Sequence, residues 1–173
     1  MRASDLDLLL VPETGDVSPD HWLTRWRAKL STAKLLDGAM TPAAIAAAAR
    51  AATRPVFFIG HSTGAIAIAQ AAAELGDVDV RGAFLVAPPS EDVLKGLDGG
   101  RWATVPRAPL PWRSVMVASR VDPWAPFAHS ETLARDWGAE LVDAGESGRL
   151  DADSGHGPWP DGLLKLAAVL KGL

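Results

Sequence analysis

Residues 56–64 constrain the fold of this chain more than any other segment. Residues 56–59 form an uncharged run of β-branched and aromatic side chains, the pattern of a strand buried on both faces of a parallel sheet. Gly60-His61-Ser62-Thr63-Gly64 follows, and an alanine-rich helix is predicted from about residue 65 to 74. This order of strand, G-x-S-x-G and helix predicts a sharp turn that holds Ser62 in a strained conformation and exposes its Oγ above the sheet.

The composition of the pentapeptide explains why the turn needs these residues. A side chain at Gly60 or Gly64 would collide with the neighbouring strand or helix. The N-terminus of the following helix adds a positive dipole end, and the backbone N–H of Thr63 is placed to donate to an oxyanion. Glycine-rich turns between strands and helices also occur in other α/β proteins, but pentapeptide and context together favour the nucleophile elbow of α/β-hydrolases.

The length and composition of the chain limit the classes of protein to which it can belong. A chain of 173 residues predicts one domain, residues 1–173, with a single core. The net charge of 17 − 21 = −4 gives no basic surface for nucleic acid or an anionic membrane. The absence of cysteine excludes disulfides, thiolate metal sites and a cysteine nucleophile. The apolar run before Pro12 is too short for a signal peptide, so a cytoplasmic protein without a membrane span is expected.

Strand and helix patterns alternate along the chain. Strands are predicted at residues 7–11, 34–36, 56–59, 80–86, 114–119 and 139–142. Helices are predicted at residues 22–30, 42–52, 65–74, 130–137 and 161–170. Residues 90–112 are predicted as a loop with one helical turn near Val93. This alternation predicts a three-layer α/β/α sandwich with a mostly parallel sheet that is covered on both faces.

A serine nucleophile needs a base, and the base needs an orienting acid, in the chain order Ser, Asp or Glu, His. Asp122 follows the strand at 114–119 and is the predicted acid, although an aspartate before a proline is also a common turn residue. His156 lies after the last strand and before the last helix, where this fold places its histidine. It is the predicted base, with a solvated loop histidine as the alternative.

The other three histidines are less suited to act as the base. His61 is next to the serine and is expected to point away from it. His21 precedes the serine in the chain, so it is out of order for the base but is expected to line the pocket. His129 falls at the start of a helix, before the last strand.

With these elements assembled, the chain resembles the small serine hydrolases of the retinoblastoma-binding protein 9 type, and the resemblance covers nearly the whole chain. The matching motifs are Pro19-Asp20-His21-Trp22 with Trp26, Gly60-His61-Ser62, Ser119-Arg120-Val121-Asp122-Pro123-Trp124, Trp137-Gly138-Ala139, Asp143-Ala144-Gly145 and Ser154-Gly155-His156-Gly157-Pro158-Trp159-Pro160. The resemblance implies a compact α/β-hydrolase fold without a cap domain, which works through an acyl-enzyme on Ser62 without a cofactor or metal.

Two positions depart from the pattern of that family. Its catalytic histidine stands in a Gly-His-(Ile/Leu)-Asn phrase, which here is Gly148-Arg149-Leu150-Asp151. Arginine stays protonated and cannot be the base, so either His156 replaces it or the triad is dismantled. A glycine that helps to build the oxyanion hole usually follows the proline of the first loop, and here it is Glu13. The backbone N–H groups of Thr63 and Glu13 are the predicted oxyanion donors, and an inward carboxylate would oppose them.

Two functions therefore remain open. The first is a serine hydrolase that cleaves a small ester, thioester, amide or peptide, with His21, Trp22, Trp124 and Trp159 lining an apolar substrate pocket. Core packing is the alternative role for the tryptophans. The second is a catalytically degenerate hydrolase that binds a small molecule or protein. A nucleotide-binding domain is disfavoured because no G-x-G-x-x-G follows the first strand. A retinoblastoma-type L-x-C-x-E motif is absent because the chain has no cysteine.

Overall fold

The computed structural model describes residues 1–13, 17–97, 99 and 104–173. The strands are β1 (Asp7–Val11), β2 (Ala33–Leu35), β3 (Val56–His61), β4 (Val80–Val86), β5 (Ser114–Ala118) and β6 (Glu140–Asp143). The helices are α1 (Trp22–Lys29), α2 (Pro42–Arg50), α3 (Thr63–Ala71), α4 (Glu91–Gly96), α5 (Phe127–Trp137) and α6 (Pro160–Lys171), with short 3-10 turns at Ala3–Asp5 and Ala72–Glu74.

The sheet has six strands in the order β2-β1-β3-β4-β5-β6, and every neighbouring pair is parallel. Strands β1, β3 and β5 are buried along their whole length, as expected of a parallel sheet covered on both faces. The predicted α/β sandwich is confirmed. Because all strands point the same way, the residues that follow β1, β3, β5 and β6 gather at one edge of the sheet.

Two apolar layers cover the faces of the sheet. Side chains from α2, α3 and α5 pack on one face, and α1 and α6 pack on the other. The second layer holds Trp22 and Trp26, both fully buried, with the ring of Trp159 stacked 5.6 Å from that of Trp26. Core packing is therefore what Trp22 and Trp159 do in this fold.

Local sequence signals explain most boundaries. Thr41 accepts a hydrogen bond from the N–H of Ala44 and is followed by Pro42, which begins α2. Helix α5 ends at Gly138, whose φ of 63° suits glycine. Helix α5 begins at Phe127, three residues before the predicted start. The sequence gives no capping signal there, because the cap residue Pro126 has no polar side chain. The predicted loop at 90–112 contains α4, and residues 98 and 100–103 of it lie outside the described residues.

Candidate active site

Ser62 sits at the turn between β3 and α3 with φ 54° and ψ −125°, a strained conformation for a residue other than glycine. Its N–H donates to the carbonyl oxygen of Val86 on β4, 2.8 Å away, which holds the turn against the sheet. A Cβ at Gly60 would lie 2.6 Å from Cδ1 of Ile68, and one at Gly64 would overlap the carbonyl oxygen of Val11. Both glycines are therefore required by close packing around the elbow.

The partner of the serine is an arginine. Nη2 of Arg149 donates to Oγ of Ser62 over 3.1 Å and to Oε2 of Glu13 over 2.7 Å. Its Nη1 is 3.6 Å from Oδ2 of Asp151, and the guanidinium carbon lies 3.4 Å from the ring centroid of Trp124. A guanidinium only donates hydrogen bonds, so it holds the serine oxygen but cannot remove its proton. Arg149 stands where the resemblance places the catalytic histidine.

The main chain around Arg149 is tied to the elbow separately from its side chain. The carbonyl oxygen of Arg149 accepts from Nε2 of His61 over 2.9 Å, and the next carbonyl, that of Leu150, accepts from Nε1 of Trp22 over 2.8 Å. A carbonyl oxygen only accepts, which assigns the proton of the neutral His61 ring to Nε2. Complete burial lowers the pKa of His61 to about 4.

Asp122 follows β5 beside this cluster, at the position predicted for the acid. Its Oδ1 accepts from the N–H of Trp124 over 2.8 Å. Burial raises the pKa of Asp122, against the lowering influence of that N–H and of the positive charge on Arg149. The guanidinium of Arg149 is therefore near enough to act on this carboxylate through its charge, and no histidine is hydrogen-bonded to Asp122 among the described residues.

His156, the predicted base, lies elsewhere in the same loop. Its Nδ1 is 3.4 Å from Oγ of Ser154, and its ring meets that of Trp159 edge-on with centroids 6.2 Å apart. Ser154 is itself held by Asp151, to which it bonds through both backbone and side chain. Within the described part of the chain, the hydrogen bonds of His156 do not reach Ser62. The fold brings Arg149, and not His156, to the serine.

The oxyanion loop follows β1. Thr63 begins α3, so its N–H belongs to the first turn of that helix. The carboxylate of Glu13 forms an ion pair with Arg149. The guanidinium thereby neutralises the negative charge that an inward glutamate would bring to an oxyanion. Thr14, the next residue of this loop, lies outside the described residues.

A cavity of about 200 Å³ opens beside the elbow. It is lined by Pro12, Glu13, Val17, Ser18, His21, Leu23, His61, Asp151, Ala152 and Asp153. His21 lines this cavity, with its Nδ1 accepting from the N–H of Leu23, and burial lowers its pKa to about 4. Its place in the substrate pocket stays a prediction. Trp22, Trp124 and Trp159, the other residues predicted for the substrate pocket, are not among those that line this cavity: Trp22 and Trp159 pack in the core, and Trp124 stacks against Arg149.

Sequence reasoning did not anticipate the acidic wall of this cavity. Asp151 and Asp153 are close in sequence to the predicted base, and an Asp-rich loop was the available signal. Among the described residues, no group of three or more histidine or carboxylate side chains is placed to hold a metal ion. No helix in the described part of the chain is long and apolar enough to cross a membrane.

Comparison with known proteins decides the family. The model of the serine hydrolase family matches residues 8–168. The chain belongs to this family. A structure designated a YdeN-like hydrolase, from Pectobacterium atrosepticum, is 30% identical, with a TM-score of 0.84 over 96% of this chain and 91% of that one. No curated protein matches the chain in a sequence search.

More distant structures share the fold. The ydeN gene product of Bacillus subtilis is 19% identical, with a TM-score of 0.72 over 95% of this chain and 96% of that one. The RedJ thioesterase of the prodiginine pathway in Streptomyces coelicolor is 17% identical, with a TM-score of 0.64 over 96% and 84%. Family and neighbours support an enzyme of the hydrolase type. The narrower resemblance to the retinoblastoma-binding protein 9 type stays a prediction.

Proposed function

We propose that this chain is a serine hydrolase that cleaves a small ester, thioester or amide, including a peptide, through an acyl-enzyme on Ser62. The observation that carries the proposal is the backbone of Ser62 at φ 54°, kept in a strained conformation by the glycines around it. Such strain persists only where the surrounding structure enforces it, and it clusters at functional sites. Ser62 is also followed directly by α3, whose N-terminus favours a developing negative charge.

The chemistry requires one rearrangement. Oγ of Ser62 attacks the substrate carbonyl while its proton passes to a base, the bond to the leaving group breaks, and the leaving group takes the proton. Water then hydrolyses the acyl-enzyme by the same route. Arg149 occupies the position of the base, so it must leave Oγ before His156 approaches from the same loop. Breaking the bonds between Ser154 and Asp151 is part of that movement, so we expect slow turnover.

A second candidate function is favoured by the contact between Arg149 and Ser62. The guanidinium is held by Glu13, by Asp151 and by the face of Trp124, and only 20% of its side chain is exposed. A cation fixed in this way satisfies the serine oxygen without activating it. The protein is then a catalytically degenerate hydrolase that binds a small molecule or protein at this edge of the sheet.

One experiment separates the two. Hydrolysis of p-nitrophenyl acetate is measured for the wild type, Ser62→Ala, His156→Ala and Arg149→His, with fluorophosphonate labelling of each in parallel. The hydrolase proposal predicts slow hydrolysis and labelling in the wild type, with both lost in Ser62→Ala and in His156→Ala. His129→Ala, which changes a histidine on α5, is the matched control and is expected to keep the wild-type rate.

The opposite result is equally clear. A wild type that neither hydrolyses the ester nor takes the label, beside an Arg149→His variant that does both, overturns the hydrolase proposal in favour of the binding function. Hydrolysis that survives in His156→Ala but not in Ser62→Ala keeps the enzyme and removes His156 from it.

A further inference from the structure

Ser62 is closed off from solvent in this structure, with only 1% of the residue exposed. The guanidinium of Arg149 lies against its side chain, with Nη2 3.1 Å from Oγ. A substrate carbonyl carbon must come within about 3–3.5 Å of Oγ before it can be attacked. A substrate therefore reaches Oγ only after a neighbouring side chain has moved, and Arg149 is hydrogen-bonded to the atom that has to be uncovered.

The main chain that carries this guanidinium is fixed. The carbonyl oxygens of Arg149 and Leu150 accept from the rings of His61 and Trp22, over 2.9 and 2.8 Å. Leu150 has φ 54°, a left-handed conformation that is unfavourable for leucine, and its side chain is fully buried in the same apolar layer as Trp22. Such a conformation persists only where the surrounding contacts enforce it. The guanidinium must therefore move by rotation of the Arg149 side chain on this main chain.

The ring of His61 shows what the anchoring contact contributes. Its Nδ1 is buried and has no hydrogen-bond partner within the described part of the chain, which is destabilising. A phenylalanine ring would fill similar space without that cost. What histidine adds at this position is the Nε2–H group, which donates to the carbonyl oxygen of Arg149.

The guanidinium end of Arg149 is held by weaker contacts than its main chain. Nη2 donates to Oε2 of Glu13 over 2.7 Å, Nη1 is 3.6 Å from Oδ2 of Asp151, and the guanidinium carbon lies 3.4 Å from the ring centroid of Trp124. The side chains of Arg149 and Glu13 are 20% and 31% exposed, so water and salt partly screen their attraction. These contacts can break while the hydrogen bonds of the main chain stay intact.

We propose that Arg149 is an autoinhibitory latch, a side chain that shields Ser62 in the resting protein and rotates away on a fixed main chain when its contact with Glu13 breaks. Opening of the latch exposes Oγ without a movement of β3, of α3 or of the main chain at residues 149 and 150. The latch rests on the proposed function for the role of Ser62, and it adds that the position of the Arg149 side chain controls access to that residue.

The test replaces the nucleophile by a thiol in the variant Ser62→Cys. The chain has no cysteine, so the introduced thiol is the only one, and its alkylation by iodoacetamide needs neither a general base nor turnover. The alkylation rate is measured over a pH range that spans the ordinary thiol pKa of about 8.5. The midpoint of this profile reports the pKa of the thiol, and the plateau reports access to it. We expect a plateau at least about tenfold below that of the same variant unfolded in urea.

Second substitutions in this background open the latch. Arg149→Ala is expected to raise the plateau rate about tenfold and, because a positive charge is lost, to raise the pKa of the thiol. Glu13→Gln leaves the guanidinium present but weakens its attachment, and we expect a rise of about fivefold. Glu131→Gln, the same change at an exposed residue of α5, is the matched control and is expected to leave the plateau unchanged. The amide spectrum of each variant reports whether it is folded.

Salt dependence tests the latch without a second substitution. Sodium chloride at about 1 M is expected to raise the plateau rate of Ser62→Cys, and to leave that of Ser62→Cys with Arg149→Ala unchanged. A plateau in Ser62→Cys that neither salt, Arg149→Ala nor Glu13→Gln raises would overturn the latch, and so would an equal rise in Glu131→Gln.

Amide hydrogen exchange separates rotation of one side chain from movement of the loop. The N–H of Leu150 donates to the carbonyl oxygen of Ser147, and in Glu13→Gln it is expected to exchange as slowly as in the wild type. Faster exchange there would show that the main chain moves, and would reject the latch as proposed. A protein that shows the expected alkylation rates but does not hydrolyse esters retains the latch and loses only the hydrolase proposal.

Discussion

The two halves of the candidate site are built from different parts of the chain and by different means. On the nucleophile side, β3, Ser62 and α3 are held by close backbone packing around Gly60 and Gly64. On the base side, the loop between β6 and α6 presents the side chain of Arg149, held by charge and by stacking on Trp124. The first half forms the tight turn that the sequence predicts, while the second half brings to Ser62 a guanidinium, which cannot accept a proton.

The difference shows which component of the site depends on which kind of force. The elbow depends on steric fit, because a Cβ added at Gly60 or Gly64 would meet the backbone or a packed side chain. Proton transfer depends on one ring nitrogen at hydrogen-bond distance, and a single replacement removes it without disturbing the strand or the helix. The scaffold and its chemistry can therefore change separately.

The nucleophile side gives the largest expected effect. Gly64→Ala places a methyl group into the carbonyl oxygens of Val11 and Pro12, which belong to β1 and its following loop. We expect a loss of more than about 3 kcal/mol of unfolding free energy in urea. Gly96→Ala is the matched control, since a Cβ there meets nothing within 4 Å, and it is expected to be neutral or slightly stabilising. Equal effects of the two substitutions would contradict a steric origin of the elbow.

Acid pH tests both histidines near the elbow. The pKa of His21 and of His61 falls from an ordinary 6.5 to about 4 in the folded protein, so the unfolded chain binds more protons between these values. The contribution of each neutral buried histidine to the unfolding free energy is therefore fully present above pH 6.5 and is lost as the pH drops towards 4. The loss is on the order of 2 kcal/mol for each histidine between pH 7 and 5. Asp122, with its raised pKa, works in the opposite direction.

Urea unfolding at a series of pH values measures this slope, and His21→Gln is expected to lose about half of it. His156→Gln, in which the exchanged histidine lies away from Ser62, provides the comparison. A slope that His21→Gln leaves at its wild-type value would exclude the buried ring as its source.

The connection between the two halves is tested at two neighbouring tryptophans. Trp22→Phe leaves the carbonyl oxygen of Leu150 without its donor, whereas Nε1 of Trp26 has no partner among the described residues. Trp22→Phe is therefore expected to cost about 1.5 kcal/mol more than Trp26→Phe in thermal or urea unfolding. Both substitutions remove the same atoms from one buried layer, so equal costs would mean that the bond to the loop contributes nothing.

The base side gives the smallest expected effect. A double-mutant cycle with Glu13→Gln and Arg149→Met is expected to show a coupling of about 1 kcal/mol, because both side chains are largely shielded from water. The same cycle on Asp161 and Lys165, a more exposed pair within α6, is expected to give about 0.3–0.5 kcal/mol. A coupling at Glu13 and Arg149 no larger than that of the helix pair would mean that solvent screens the site fully.

How well the sequence predicts a feature depends on how far apart in the chain the interacting residues lie. The elbow and the parallel sheet follow from local patterns, because glycine spacing and uninterrupted apolar runs dictate backbone structure. The start of α5 was missed because Pro126 carries no capping side chain. The partner of Ser62 and the acidic cavity join residues as distant as Glu13 and Arg149, and only the packed fold determines that their side chains meet.

The anchoring of the loop main chain bears on which side chains position 149 can carry. The main chain at position 149 is anchored to His61, and the residue after it to Trp22, whatever side chain position 149 carries. A single nucleotide change converts some arginine codons into histidine codons, and the anchored backbone would present either residue at the same place. A histidine at position 149 is thus one mutational step away from the present arginine, and the anchored main chain would hold its ring on the side of Ser62.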